Sequence, residues 1–149
     1  MNEITLLNYF IINHFKDNDL VNTVSIVPTF EMDKNKENIY PLVNIDLQNT
    51  DIETDSVIAS YQITVVTQRE IQNVKTDSKL LNDSNYLDNL NNCHAIVAKF
   101  INYLNLQNND LNIEIQSLSK NKVLNNTFAS GLDGFQFDVE LSIHNSGRS

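Results

Sequence analysis

The chain has 149 residues with a formal net charge of -9, enough for one domain that buries roughly 70% of its unfolded surface. That acidity excludes a nucleic-acid binder working through clustered Lys and Arg, and it opposes docking on an anionic membrane. Cys93 is the single cysteine, so an intrachain disulfide and a Cys-rich zinc site are both excluded.

With 3 Gly and 2 Pro there is no glycine-rich phosphate loop, and the Walker and dinucleotide fingerprints are absent. The opening MNEITLLNYFIINHF has no basic start, which reads against a signal peptide. No apolar run approaches the ~20 residues that span a bilayer. A soluble protein made in a cytoplasm is expected.

Residues 3–16 predict an amphipathic helix: Ile4, Leu7, Ile11 and Phe15 recur at spacings of three and four, widened by Leu6 and Phe10. Val24, Ile26, Pro28 and Phe30 then alternate as a strand, with Pro28 implying an edge or a bulge. Ile39, Pro41, Val43, Ile45 and Leu47 alternate after a polar loop, and the two runs predict a hairpin. The acidic stretch DLQNTDIETDS reads as a loop leading into a long strand, VIASYQITVVTQ.

Asp83 or Ser84 is placed to cap a second helix over about 85–105. Its seam is Leu87, Leu90, His94, Val97, Ile101 and Leu104, broadened by Ile96, Phe100 and Tyr103. Leu111, Ile113 and Ile115 begin a strand, SKNKVLNNT reads as a polar loop, and GLDGFQFDVELSIHN delivers the final strand. In that segment Gly131 and Gly134 suit positive φ, and Asp133 suits a bond back onto the backbone of a turn.

The expected architecture is α+β: a single mostly antiparallel sheet with two helices packed on one face, in the order α-β-β-β-α-β-β. Residues 1–149 form one domain, with a flexible polar connection around 72–84 and a short C-terminal tail at 145–149.

Several clusters resemble chemistry. Gln136, Asp138, Glu140, Ser142 and His144 share the polar face of the last strand, with i and i+2 about 7 Å apart. Alternating polar residues are what any half-exposed strand shows, so this face is assigned to water or a neighbouring subunit rather than to acid–base catalysis. Asp51, Glu53 and Asp55 alternate and offer oxygens to a hard cation, but the Gly and closing Glu of a calcium loop are missing.

Cys93 and His94 diverge by ~100° on a helix, which argues against a nucleophile pair and for a core or helix–sheet histidine. His14 falls near a helix C-terminus, where a cation is favoured. The three histidines lie on separate elements without HxH or HExxH spacing, so no zinc site is expected. Ser130 lacks the G-x-S-x-G frame of a nucleophile elbow.

Taken in order, these segments resemble the tail terminator (tail completion) proteins of long-tailed bacteriophages, or a related head–tail connector neck protein. The features that carry the likeness are the short opening helix, the pair VSIVPTFE and YPLVNIDLQ, and the acidic NTDIETDS. After them come the strand ASYQITVVTQ, the helix at 85–105 and the terminal LDGFQFDVELSIHN. The likeness covers nearly the whole chain and rests on layout rather than an invariant motif.

It implies a virion protein, made in the host bacterial cytoplasm, that forms a homo-oligomeric ring, commonly a hexamer. Such a ring caps the tail tube protein and joins it to the head–tail connector, and DNA passes through without specific binding. No catalysis, metal or cofactor is implied. The expected subunit or partner contacts are Asp51, Glu53, Asp55, Gln136, Asp138, Glu140 and His144. The competing expectation is a small-ligand-binding or hydrolase α+β domain with Asp138, Glu140 and His144 in an acidic pocket.

Overall fold

A computed structural model describes residues 2–32, 39–70, 84–106, 112–128 and 130–144. The connection expected at 72–84 lies, up to residue 83, outside the described residues, and so does the tail at 145–149.

Helix α1 spans Glu3–Lys16, with Asn2 accepting from the Thr5 amide as its N-cap. Helix α2 spans Tyr86–Asn105 and begins after Asn85, whose side chain makes no cap bond. Asp83 lies outside the described residues; Ser84 accepts from the Tyr86 amide at 3.4 Å but is not the cap.

Among the described residues six strands form one mixed sheet: β1 Thr23–Ser25, β2 Leu42–Ile52, β3 Ser56–Gln68, β4 Ile113–Leu118, β5 Lys122–Thr127 and β6 Leu132–His144. The sheet order is β1-β2-β3-β6-β4, with β5 also paired to β6. The fold is α+β with the helices on one face. The expected order of elements is present, with one further strand.

The expected hairpin between the first two runs does not form. β1 pairs parallel to β2, in register Thr23 to Leu42 and Ser25 to Asn44, so the intervening chain must cross back before re-entering the sheet. β1 also stops at Ser25, ahead of Pro28, which precedes one turn of 3-10 helix at Thr29–Glu31. Pro28 has no amide to give a ladder. Asn44 captures this segment instead: its Oδ1 accepts from Ser25 Oγ and the Val27 amide, and its Nδ2 donates to the Val27 carbonyl.

Two further segments differ from expectation because strands persist through polar sequence. DLQNTDIETDS is mostly strand: β2 runs to Ile52 and turns tightly into β3 at Ser56, the Glu53 amide donating to the Ser56 carbonyl. SKNKVLNNT contains β5. Because β3 pairs with β6 along its full length, β4 and β5 must both lie on the other side of β6, end to end. They are one interrupted edge strand, bent near Ser119, whose hydroxyl accepts from the Asp138 amide.

The main core lies between helices and sheet. Leu7, Ile11 and Phe15 of α1 and Ile96, Val97 and Phe100 of α2 meet Tyr61, Ile63, Phe137, Val139 and Leu141. Each such side chain contributes about 1.5–3 kcal/mol of transfer free energy. The seam of α2 is rotated from the expected one: Asn89 and Cys93 are buried, whereas Leu87 and His94 are exposed.

The opposite face is not uniformly wet. Met32, Leu42, Val66, Leu124 and Leu132 form a second, smaller cluster there, capped by the segment that carries the 3-10 turn.

Candidate functional site

The polar face of β6 is built by register. Residues directly opposite across a ladder share a face, so Gln136, Asp138 and Glu140 stand beside Thr64, Gln62 and Ser60 of β3. Gln136 donates to Thr64 Oγ1 at 3.1 Å, and Ser60 Oγ donates to Glu140 Oε2 at 3.2 Å. Farther along, Gln116 of β4 donates to Ser142 Oγ at 2.7 Å. On β2, Asp46 Oδ2 accepts from the Thr29 amide and from Gln48 Nε2. The bonds among β3, β6 and β4 are cross-strand bonds that tie the sheet together, and Asp46 anchors the 3-10 turn to β2.

Gln136 and Glu140 are thus half-buried members of that network, while Asp138 and His144 are exposed. Asp138 and His144 are six residues apart on a straight strand, roughly 20 Å by the rise per residue. They cannot act on one small substrate atom. Asp51, Glu53 and Asp55 gather at the tip of the β2–β3 hairpin, all exposed. His144 pairs with Ser56 across the ladder, and it lines a shallow depression with Asp55 and Glu114. Among the described residues, no group of three or more His, Cys, Asp or Glu side chains is placed to hold a metal ion.

A second region opens between the helices. Leu6, Tyr9, Phe10 and His14 of α1 and Tyr103 and Leu106 at the end of α2 line a groove of about 800 Å³. His14 stacks on Tyr103 with ring centroids 4.7 Å apart. Burial, reinforced by Lys99, pulls the His14 pKa down to about 4, although Asp17 opposes the shift. His14 is therefore a neutral packing residue at pH 7, not the helix-terminal cation expected.

Cys93 is sealed in the core, and burial plus the nearby Asp133 push its thiol up to about 12. It is no nucleophile at neutral pH. His94 stands outside, edge-on to Phe135 at 6.0 Å, rather than in the core.

Asp133 plays a larger part than the turn residue expected. Gly131 does adopt a positive φ of 68°, but Asp133 already belongs to β6. Its fully buried carboxylate receives Arg69 Nε and Nη2, Asn89 Nδ2 and the Asn126 amide. Arg69 also lies over the Tyr86 ring at 4.7 Å. This node joins the ends of β3, β5 and β6 to the start of α2. Its parts come from four separated segments, and only an unusually isolated Arg in an acidic chain hints at it in sequence.

Neither family models nor curated proteins give a match to this chain. Geometry and charge therefore carry the functional reading.

Proposed function

We propose that the chain is the subunit of a virion ring that caps a bacteriophage tail tube and joins it to the head connector, as a tail terminator does. The ring would be a homo-oligomer, a hexamer in the commonest arrangement, without catalysis or cofactor. Its partners would be the tail tube protein and a head–tail connector or neck protein.

The observation that carries this reading is the β2–β3 hairpin, exposed from Leu47 to Asp55 and tipped by Asp51, Glu53 and Asp55. An exposed, acid-tipped hairpin on a rigid α+β body is suited to docking against another subunit, where charge fixes orientation and partner choice. The likeness to tail terminators loses its first hairpin, since β1 and β2 are parallel. It keeps the opening helix, the acidic segment, the long strand, the helix across the sheet and the terminal strand. Net negative charge also suits a ring that duplex DNA must pass without adhering.

Gene neighbourhood tests the proposal. A coding sequence set between head-connector and tail-tube genes is expected; a place in a metabolic operon overturns it.

A further inference from the structure

The two long edges of the sheet are unlike each other and complementary. Beyond Asn44, no strand among the described residues pairs with the outer edge of β2, because β1 covers only Leu42–Asn44. At the far side, none pairs with the outer edge of β4 and β5. The β2 edge and its hairpin tip carry Asp46, Asp51, Glu53 and Asp55 and no base. The β4–β5 edge carries Lys120 and Lys122, two of the five lysines and arginines among the described residues, against one acid, Glu114 near its far end.

Apolar residues repeat the match. Leu47 and Ile52 are exposed on the acidic edge, and Leu118 and Val123 on the basic one, with Ile52 74% and Val123 50% exposed. Leu47 stands opposite Tyr61, Ile52 opposite Val57, Leu118 opposite Val139 and Val123 opposite Phe135. Those partners belong to or pack on the helix-side core, so all four exposed residues lie on the same side of the sheet.

Strand direction is compatible as well. β2, β3, β6 and β4 are successively antiparallel. The two edges therefore run in opposite senses, and copies related by a simple rotation would meet edge to edge as antiparallel neighbours. The bulges at Leu47/Asn49 and Ile115/Ser117 interrupt a continuous backbone ladder, which leaves recognition to side chains.

We propose that a second copy of this chain docks head to tail, its acidic β2 edge against the basic β4–β5 edge. Ile52 meets Leu118 and Leu47 meets Val123, as an antiparallel register requires, and Asp51 and Glu53 lie nearest Lys120. The contact is heterologous, so it propagates and closes only if the rotation allows. The inference deepens the ring proposal and rests on it for closure.

The test mixes full-length Ile52→Cys and Leu118→Cys chains and treats them with a short bismaleimide; Cys93 is buried and stays silent. The expected result is a cross-linked dimer from the mixture, little from either variant alone, and a ladder from the double variant. Lys120→Glu with Lys122→Glu should weaken self-association roughly tenfold or more, and Asp51→Lys with Glu53→Lys should restore it.

Absence of the mixed cross-link, or an equal yield from Ile52→Cys alone, overturns the contact. Electron microscopy of the same samples separates the two ideas. Closed rings without the cross-link leave the ring standing and remove this contact. The cross-link with open filaments or isolated dimers keeps the contact and removes the ring.

Discussion

Arg69 grips Asp133 with two prongs, Nε to Oδ2 at 3.1 Å and Nη2 to Oδ1 at 2.9 Å. The carboxylate is fully buried and the guanidinium partly exposed, so the pair is unequal: Asp133 depends on Arg69 for charge balance, and Arg69 can still reach water. Asn89, Asn126 and Arg69 together satisfy the acceptor sites of one carboxylate.

Removing the cation leaves that charge buried. Arg69→Met should destabilise the protein by about 3–5 kcal/mol, read by urea unfolding. Arg69→Lys should recover only part, because an ammonium cannot reproduce the fork. A loss below about 1 kcal/mol for Arg69→Met would show that Asn89 and the Asn126 amide suffice.

Gly134 is required by contact as well as by its φ of 158°. A Cβ there would lie 1.9 Å from the Val65 carbonyl oxygen, across the β3–β6 ladder. Gly134→Ala must push two central strands apart, and we expect a loss of more than about 2 kcal/mol. Thermal unfolding that matches the parent would refute this.

His14 makes stability depend on pH with a definite sign. Its folded pKa, about 4, lies below the ordinary 6.5, so the folded state favours the neutral ring. That contribution is complete above pH 6.5 and is lost as pH falls toward 4, because the unfolded chain takes up the proton first. His14→Phe keeps a ring against Tyr103 and removes the proton. The variant should lose less stability than the parent between pH 6.5 and 4, as measured by denaturant midpoints at each pH.

Cys93 should be protected by the fold. With its thiol pushed to about 12 and its side chain enclosed, the native protein should resist alkylation at pH 8 and label only through unfolding. Labelling at the rate of a free thiol would place Cys93 outside the core.

Glu140→Gln should leave the fold intact, within about 0.5 kcal/mol. The amide oxygen still accepts from Ser60 Oγ, which the carboxylate does now. An enzymatic activity lost on that change would overturn the non-catalytic reading of this face.

Local pattern determined much of this protein. The 3.6-residue spacing of Leu7, Ile11 and Phe15 specifies α1, and the strict alternation from Phe137 to Ile143 specifies the buried face of β6. Both elements have one apolar side to hide, so composition alone betrays them. The acidic cluster Asp51, Glu53 and Asp55 was legible too, though as a loop rather than a hairpin tip.

Only the tertiary structure decided what depends on partners far away in sequence. β1 is parallel to β2 because Asn44 holds the chain that follows it. KVLNNT becomes a strand because β6 presents a free edge to it, despite its polar sequence. The α2 face turns toward Cys93 and Asn89 because Asp133 needs a donor and tight helix–sheet packing needs small side chains. Burial, not sequence position, makes His14 neutral. Periodicity reports which side of an element is apolar; it does not report which neighbour will supply the missing hydrogen bond or charge, and those neighbours set the topology and the two edges.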